Sequence, residues 1–531
     1  MNSRQRVTAG RQADLILASL LGTAGPRQER RCVTCPDGTR LDVTLYRSRS
    51  GNGPYPVGSQ PVVVLPASWA ATQSSFAAML TWLADSGYLA VGYTPRGFGG
   101  SGGLVDAGSP QDVADFRTVL DWTLANFPSA DRRRIAALGV SYGAAISLLS
   151  AAADDRVTTV VALDGWADLY AALADDDTPR LNAAVLLSSG LLRGRAEHSF
   201  VAAMARFYTG LQLAELKHWA ARRSVASCVE QLNARSVSVL LSAGWNDTVL
   251  RPDPTIDLHA ALTTRSVLLL HPDDHPIVPV AQLASHAGRE VWQYARRWLD
   301  HEMRRLPTVV DRSGAVVVLG STAPHSVENV VPPTANPGVP YGLGPPRILG
   351  PGLLAGRGGA WSNRLLGAIP SGATDRIVLL TSLVERATGL APGIWFPMVP
   401  GSVAASWLTA PGTSTGHLRG FPRLRLAVTC PARRVTLTAH LYDVGPSGFG
   451  QLISQGAATL TTGGRCPVPV DLRLRATFRD IPTGHRIGLL VGTSDPTCAI
   501  RTRFLSRVTL HSHDDSPATL SLPFVQPTTA A

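Results

Sequence analysis

Along the first 306 residues, apolar positions fall into short continuous runs separated by longer stretches with a one-sided apolar face. That is the pattern of buried strands alternating with helices. The runs are Val62 to Leu65, Tyr88 to Tyr93, Ile135 to Leu138, Val157 to Leu163, Ser236 to Leu241 and Val267 to Leu270. Residues 32–47 add two short strands around Pro36-Asp37-Gly38, a hairpin signal. A helix is predicted from about Thr72 to Ser86, ended by Gly87, and another opens at Ser109-Pro110. Serine is a favoured N-cap and proline fits the first helical position. Val113, Phe116, Val119, Leu120 and Leu124 give that helix its apolar face, after which Asp131 and Arg132-Arg133-Arg134 read as a turn. Residues 282–303 form a last helix, with Val291, Ala295, Trp298 and Leu299 on one side. Strand and helix in alternation mean a doubly wound, mostly parallel sheet with helices on both faces.

Two stretches break the alternation. From Trp166 to about Arg235 helical segments follow one another without strands. From Pro307 to about Trp361 the chain is rich in Pro and Gly and has little periodicity. Beyond it Leu424, Leu426 and Val428 alternate with polar residues, as do Val435, Leu437, Ala439 and Leu441. Turns such as Val444-Gly445-Pro446-Ser447-Gly448 recur between these runs, a sandwich or jelly-roll pattern.

The apolar run at Ile135 leads into Gly139-Val140-Ser141-Tyr142-Gly143 and then a helix-compatible segment of small residues. A G-x-S-x-G between strand and helix is the nucleophile elbow of an α/β-hydrolase. The serine sits at the tip of a very tight turn, so the residues two before and two after it must be nearly side-chain-free. With 50 glycines in the chain, the same pattern also occurs around Ser101 and Ser414. Ser101 lies in a glycine run with no helix behind it, and Ser414 has no strand before it. The glycines around Ser101 also match G-x-G-x-x-G, but no helix opens directly after them as dinucleotide binding requires. The expected fold is therefore α/β-hydrolase with a helical cap insertion, plus a C-terminal all-β jelly roll. We assign 1–165 and 236–306 to the two parts of the hydrolase domain and 166–235 to the cap. Residues 307–361 are assigned to a connection and 362–531 to the jelly roll.

A serine nucleophile needs a base to take its proton and an acid to orient the base, in the chain order Ser, Asp or Glu, His for this fold. Asp247 follows the strand of SVLLSAGWNDTVL, and His275 lies in the loop after LLLHPDDHPI. His271, nearer the strand end, and His286, in the following helix, are alternative bases. Asp164, after the strand 157–163, is the alternative acid. The cluster His271, Asp273, Asp274, His275 carries metal-ligand side chains, but four in one short loop seldom wrap one ion, so no metal is expected. No organic cofactor is implied. The Tyr142 backbone N–H is one oxyanion donor.

Charge and cysteines narrow the partners. The formal net charge is +11, yet the single Lys is Lys217 and the arginines are scattered, without a basic stripe or interleaved aromatics. A solvated surface, and no nucleic-acid partner, is the reading. The six cysteines are too sparse for a disulfide scaffold, and Cys32-x-x-Cys35 has no second pair at zinc spacing. Asp14 and Arg11 beside the apolar Leu15 to Leu21 favour an amphipathic helix over a signal peptide. A soluble, cytoplasmic protein with no membrane partner is expected, acting on a small-molecule ester or peptide.

PDGTRLDVTLY, RGFGGSGG, GVSYGA and AGWNDTVL, with HPDDH where others have G-P-W-x-H, resemble the X-Pro dipeptidyl-peptidase, cocaine esterase and α-amino acid ester hydrolase family. So do AHLYDVGPSGFGQLISQG and IPTGHRIGLLVGTSD in the C-terminal part. The resemblance covers nearly the whole chain and implies Ser141 as nucleophile, Asp247 as acid and His275 as base. Two departures stand out. Thr94 replaces the Asp common before the Arg-Gly of the glycine loop. Many members also donate a tyrosine hydroxyl to the oxyanion from the loop after the strand at 62–65, which here reads Pro66-Ala67-Ser68-Trp69. Losing such a donor costs about 3 kcal/mol, so a backbone N–H near Ser68 or the Trp69 indole should replace it. Acyl ester hydrolysis is expected over X-Pro dipeptide release. A peptidase must hold a free amino terminus, and the only acidic run in the cap, Asp175-Asp176-Asp177, reads as a solvated loop. The rival from another class is a non-catalytic binding protein on a retained hydrolase scaffold.

Overall fold

Strands β1 (Arg27–Thr34) and β2 (Arg40–Arg47) form the hairpin at the start of the sheet, and β2 pairs antiparallel with β4 (Leu89–Tyr93). Then β3 (Gln60–Pro66), β5 (Ala130–Val140) and β6 (Val157–Leu163) run parallel to β4 and to one another. In the stretch 166–235 assigned to the cap, expected to be helical without strands, β7 (Ala174–Asp175) and β8 (Thr178–Pro179) pair with each other. The main sheet resumes with β9 (Ser238–Gly244), β10 (Ser266–His271) and β11 (Ala315–Val318), all parallel, and ends at β12 (Glu328–Asn329). The spatial order is β1-β2-β4-β3-β5-β6-β9-β10-β11-β12. These assignments come from a computed structural model that describes residues 27–48, 56–191, 195–277, 283, 285–308, 313–320, 328–329, 336–355, 358–377, 381, 391–464 and 466–525. The segment Leu15 to Leu21 lies outside them.

Along the apolar runs of the central strands β3, β4, β5, β6, β9 and β10 both faces of the sheet are buried, as such runs require. Val62, Val64, Ile135 and Val160 point to one core, and Val63, Leu65, Ala136 and Val161 to the other. The helix Pro110–Asn126 has the expected cap, with Ser109 accepting from the Gln111 N–H and Asp112 closing the capping box. Three further readings change. The helix expected from Thr72 begins as a 3-10 turn, Gln73–Phe76, and becomes α only over Ala77–Asp85. Arg132 to Arg134 form the outer end of β5 rather than a turn, because Gln60 of β3 pairs with Ala130 and carries the ladder past the buried part. The third change concerns the stretch 307–361, which holds β11 of the first sheet and the strands Val339–Leu343 and Gly352–Ala355 of the second. The apolar run Ala315-Val316-Val317-Val318 was masked by its Pro- and Gly-rich surroundings.

The C-terminal half is all β. Among the described residues its main sheet has twelve strands, and the longest pair, Arg434–Val444 with Phe449–Thr461, carries a register shift at Leu441/Tyr442. Leu437, Leu441, Leu489, Val491 and Leu510 fill the core beneath it.

This half packs on the hydrolase half and on the cap. Phe478 meets Trp245 with ring centroids 5.5 Å apart, and the Ala476 N–H donates to Asp253 at 2.7 Å. The Leu181 N–H donates to the Thr497 carbonyl at 2.7 Å, and the Asn182 amide to the Arg376 carbonyl at 2.7 Å. A chain ended at residue 330 would strip these partners from buried groups. It is expected to be recovered insoluble or without activity, and full activity in a soluble truncated chain would show that the second half is not needed. Among the described residues, no helix is long and apolar enough to cross a membrane.

Candidate active site

Ser141 stands where β5 ends and the helix Tyr142–Ala153 begins, with φ 55° and ψ −116°. A non-glycine residue there stores about 1–3 kcal/mol of strain and persists only where its surroundings over-determine it. The Ser141 N–H is anchored to the Leu163 carbonyl at 2.8 Å, and its own carbonyl accepts the Ala144 N–H at 3.0 Å. The flanking glycines are demanded by close approach. A Cβ on Gly139 would lie 2.2 Å from the Gly143 backbone, and one on Gly143 would lie 2.2 Å from the Pro66 carbonyl oxygen. Neither obstacle is a side chain that can swing away. Gly143→Ala is therefore expected to cost about 1–3 kcal/mol of stability by overpacking and to abolish reaction at Ser141. Calorimetry together with fluorophosphonate labelling checks both.

The elbow meets two loops at the carboxyl ends of β9 and β10. Ser141 Oγ is 2.8 Å from His275 Nε2, and His275 Nδ1 is 2.7 Å from Asp247 Oδ2. That pair of contacts assigns the neutral tautomer: Nδ1–H donates to the carboxylate and Nε2 accepts the serine proton. The other oxygen of Asp247 accepts the N–H groups of Val249 and Leu250, each at 2.7 Å, which fixes the carboxylate plane. Asp274 ties the two loops together. Its Oδ1 accepts from the Thr248 N–H and hydroxyl at 2.8 Å and from the His275 N–H at 2.7 Å. Arg180 of the cap, itself buried, donates to the carbonyls of Thr248 and Val249 at 3.1 and 3.2 Å. All three residues are buried, with Ser141 6%, Asp247 2% and His275 7% exposed, so a charge formed there meets protein rather than bulk water. Burial disfavours the His275 imidazolium, but the charge and hydrogen bond of Asp247 outweigh it and hold the ring above its ordinary value.

The alternative residues are placed elsewhere. His271 Nε2 is 2.7 Å from Asp164 Oδ1, so the second-choice base and the second-choice acid are paired with each other. His286 opens the helix His286–Arg304. Ser101 Oγ donates to the Thr94 carbonyl at 2.6 Å and accepts the Asp42 N–H, a structural tie within the glycine loop. Among the described residues, no three His, Cys, Asp or Glu side chains are grouped to hold a metal.

The loop after β3 lies beside the elbow. Ser68 Oγ donates to the Val140 carbonyl at 2.7 Å, so its hydroxyl is committed to holding the loop against β5. The backbone N–H groups of Ser68, Trp69 and Tyr142 find no protein acceptor among the described residues. The Tyr142 N–H is one of the orphan donors at the positive end of the helix Tyr142–Ala153. Its phenol ring points away, packed on Trp69 at 5.3 Å and Trp166 at 5.9 Å. The Trp69 indole nitrogen is buried without an acceptor and lies against the cap helix, where a Cβ on Gly190 would sit 2.0 Å from it. The acidic run of the cap departs from a solvated loop. Asp175 is buried and paired with Arg251 at 2.7 Å, while Asp177 is paired with Lys217 at 2.7 Å. Asp176 occupies the exposed turn between β7 and β8.

A mostly parallel sheet with a strained serine at a strand-to-helix turn, joined to an all-β domain, defines a two-domain α/β-hydrolase. Residues 37–276 match the model of the X-Pro dipeptidyl-peptidase (S15) family. The model of the X-Pro dipeptidyl-peptidase C-terminal non-catalytic domain matches residues 407–521. With these two matches the protein is an enzyme, a hydrolase of the serine type. Among solved structures it is similar to an α-amino acid ester hydrolase, with TM-score 0.69 and 15% identity over 95% of this chain and 97% of that one. A CocE/NonD family hydrolase from Staphylococcus aureus aligns with TM-score 0.68 and 14% identity over 94% and 93% of the two chains. An aminopeptidase from a marine sediment archaeon gives 0.69 and 14% over 94% and 97%. At such identities the likeness is one of fold. No curated protein matches the sequence.

Proposed function

We propose that the protein hydrolyses carboxylic esters through an acyl-enzyme on Ser141, with His275 as general base and Asp247 as the acid that orients it. The unbroken contact from Ser141 Oγ through His275 to Asp247 carries this reading. Ser141 Oγ attacks the acyl carbon while its proton passes to His275 Nε2. The tetrahedral oxyanion takes hydrogen bonds from the Tyr142 N–H and from a backbone N–H of the Ser68–Trp69 segment. The indole of Trp69, turned to Gly190, is the weaker second donor. The imidazolium then protonates the departing alkoxide, and the neutral ring activates the water that releases the acid. Each proton taken by His275 in one half-reaction is returned in it.

An ester is favoured over an X-Pro peptide because two carboxylates of the cap's acidic run already have cationic partners inside the protein. To use Asp175 or Asp177 a free amino terminus would have to displace Arg251 or Lys217, which leaves it only Asp176 of the exposed turn. The reading is tested with a p-nitrophenyl acyl ester against an Xaa-Pro p-nitroanilide. Turnover of the ester with little of the anilide is expected, and a higher kcat/KM for the anilide would make the protein a dipeptidyl-peptidase. A scaffold without catalysis would turn over neither.

A further inference from the structure

Beneath the proposed triad lies a second histidine–carboxylate pair that the reaction does not consume. Asp164 directly follows β6 and His271 ends β10, with β9 running between the two strands. The two side chains meet across the end of β9 at Gly244, whose would-be Cβ would lie 2.4 Å from the Asp273 carbonyl oxygen and 3.3 Å from His271 Cε1. Ser242 of β9 supports the carboxylate, its hydroxyl donating to Asp164 Oδ1 at 3.1 Å and accepting the Asp164 N–H at 3.1 Å. Asp164 is held at φ 51°, and the residue before it, Leu163, accepts the Ser141 N–H. The pair is therefore built into the same backbone junction as the nucleophile. Both side chains are 1% exposed, so water screens their charges poorly.

We propose that Asp164 and His271 act as positioning residues that set how readily His275 takes the serine proton, through the net charge their pair presents beneath it. This rests on His275 being the base. Three carboxylates act on the charge of His275: Asp247 hydrogen-bonded at its Nδ1, Asp274 accepting its backbone N–H, and Asp164 through space from the pair with His271. Those facing His271 are Asp164, Asp273 and Asp247, with Asp273 also accepting the Ser285 hydroxyl at 2.5 Å. Burial opposes charge on His271, but Asp164 holds it above its ordinary value, just as Asp247 does for His275. When His271 carries a proton the pair is neutral overall. When it does not, an uncompensated buried anion lies beneath His275 and favours the imidazolium of the transition state.

Two near-isosteric substitutions must then act in opposite directions. Asp164→Asn deletes the anion, so the midpoint of activity against pH should fall. His271→Gln keeps a donor to Asp164 but removes the cancelling positive charge, so the midpoint should rise. Each shift is expected to be about one pH unit, the scale of one buried charge at this range. The measurement is the rate of fluorophosphonate labelling of the full chain across pH, with the His275 ring proton followed by NMR in the same variants. A structural role alone would slow labelling without splitting the midpoints. Unmoved midpoints, or shifts of the same sign, overturn the proposal. Should Asp164→Asn fail to fold, His271→Gln decides by itself, and an unmoved or lowered midpoint overturns it. His275→Ala is the control for the underlying reading: labelling at the wild-type rate there would remove His275 as base, whatever the other variants do.

Discussion

Ser141→Ala should abolish covalent labelling by a fluorophosphonate, while Ser101→Ala and Ser414→Ala should label stoichiometrically at one site. The three serines share the same five-residue pattern, so the contrast separates pattern from geometry. Ser141 is the one whose hydroxyl meets an imidazole nitrogen, at 2.8 Å, on a strained backbone that projects it from the sheet. The Ser101 hydroxyl is spent on the Thr94 carbonyl and the Asp42 N–H. Removal of the nucleophile leaves only what the oxyanion donors and binding contribute, so turnover should fall by about a millionfold, as for triads dissected elsewhere. Intact-mass measurement after labelling reads the result directly. Stoichiometric adduct on Ser141→Ala would sink the assignment.

Loss of the base or its acid should be nearly as severe, and the pH dependence carries a sign. His275→Ala removes the proton acceptor, and labelling should fall by several orders of magnitude. Asp247→Asn keeps the shape but removes the charge that fixes the tautomer and stabilises the imidazolium, a loss on the order of ten-thousand-fold in the serine protease where it was dissected. His286→Ala, at the start of its helix, should label normally. Only neutral imidazole accepts a proton, so activity rises with pH through the His275 midpoint. An unperturbed histidine would place that midpoint at about 6.5. Burial pulls it down, but Asp247 more than offsets this, so the observed midpoint should lie above the ordinary value. A midpoint below it would mean that the carboxylate is not charged against the ring, and would move the acid away from Asp247.

The elbow and its surroundings were readable because their causes are local. Gly139 and Gly143 are demanded by backbone atoms a few residues away or on the adjoining strand, and the apolar runs of β3, β5, β6, β9 and β10 announce burial on both faces. The order Ser141, Asp247, His275 follows from the order of the strands whose ends carry them. Where the reading erred, local cues misled: Arg132 to Arg134 look like a turn until β3 pairs beyond them, and β11 hides among Pro and Gly until β10 lies beside it. Asp175 looked solvated until the fold brought Arg251 to it.

Which histidine serves which carboxylate was not readable from the chain. His271 and His275 are four residues apart, both beside aspartates, and one turn of loop separates their roles. The strand order decides it. β9 lies between β6 and β10, so a ring at the very end of β10 reaches over Gly244 to Asp164. A ring four residues further on clears the sheet and meets Ser141 and Asp247. The sequence narrowed the proposed second oxyanion donor to a backbone N–H near Ser68 or the Trp69 indole and no further, because every residue but proline carries a backbone N–H and only the packing of one loop against another leaves one unpaired. Steric demand and burial are written residue by residue, whereas the partner of a polar group depends on which distant segment the sheet sets beside it.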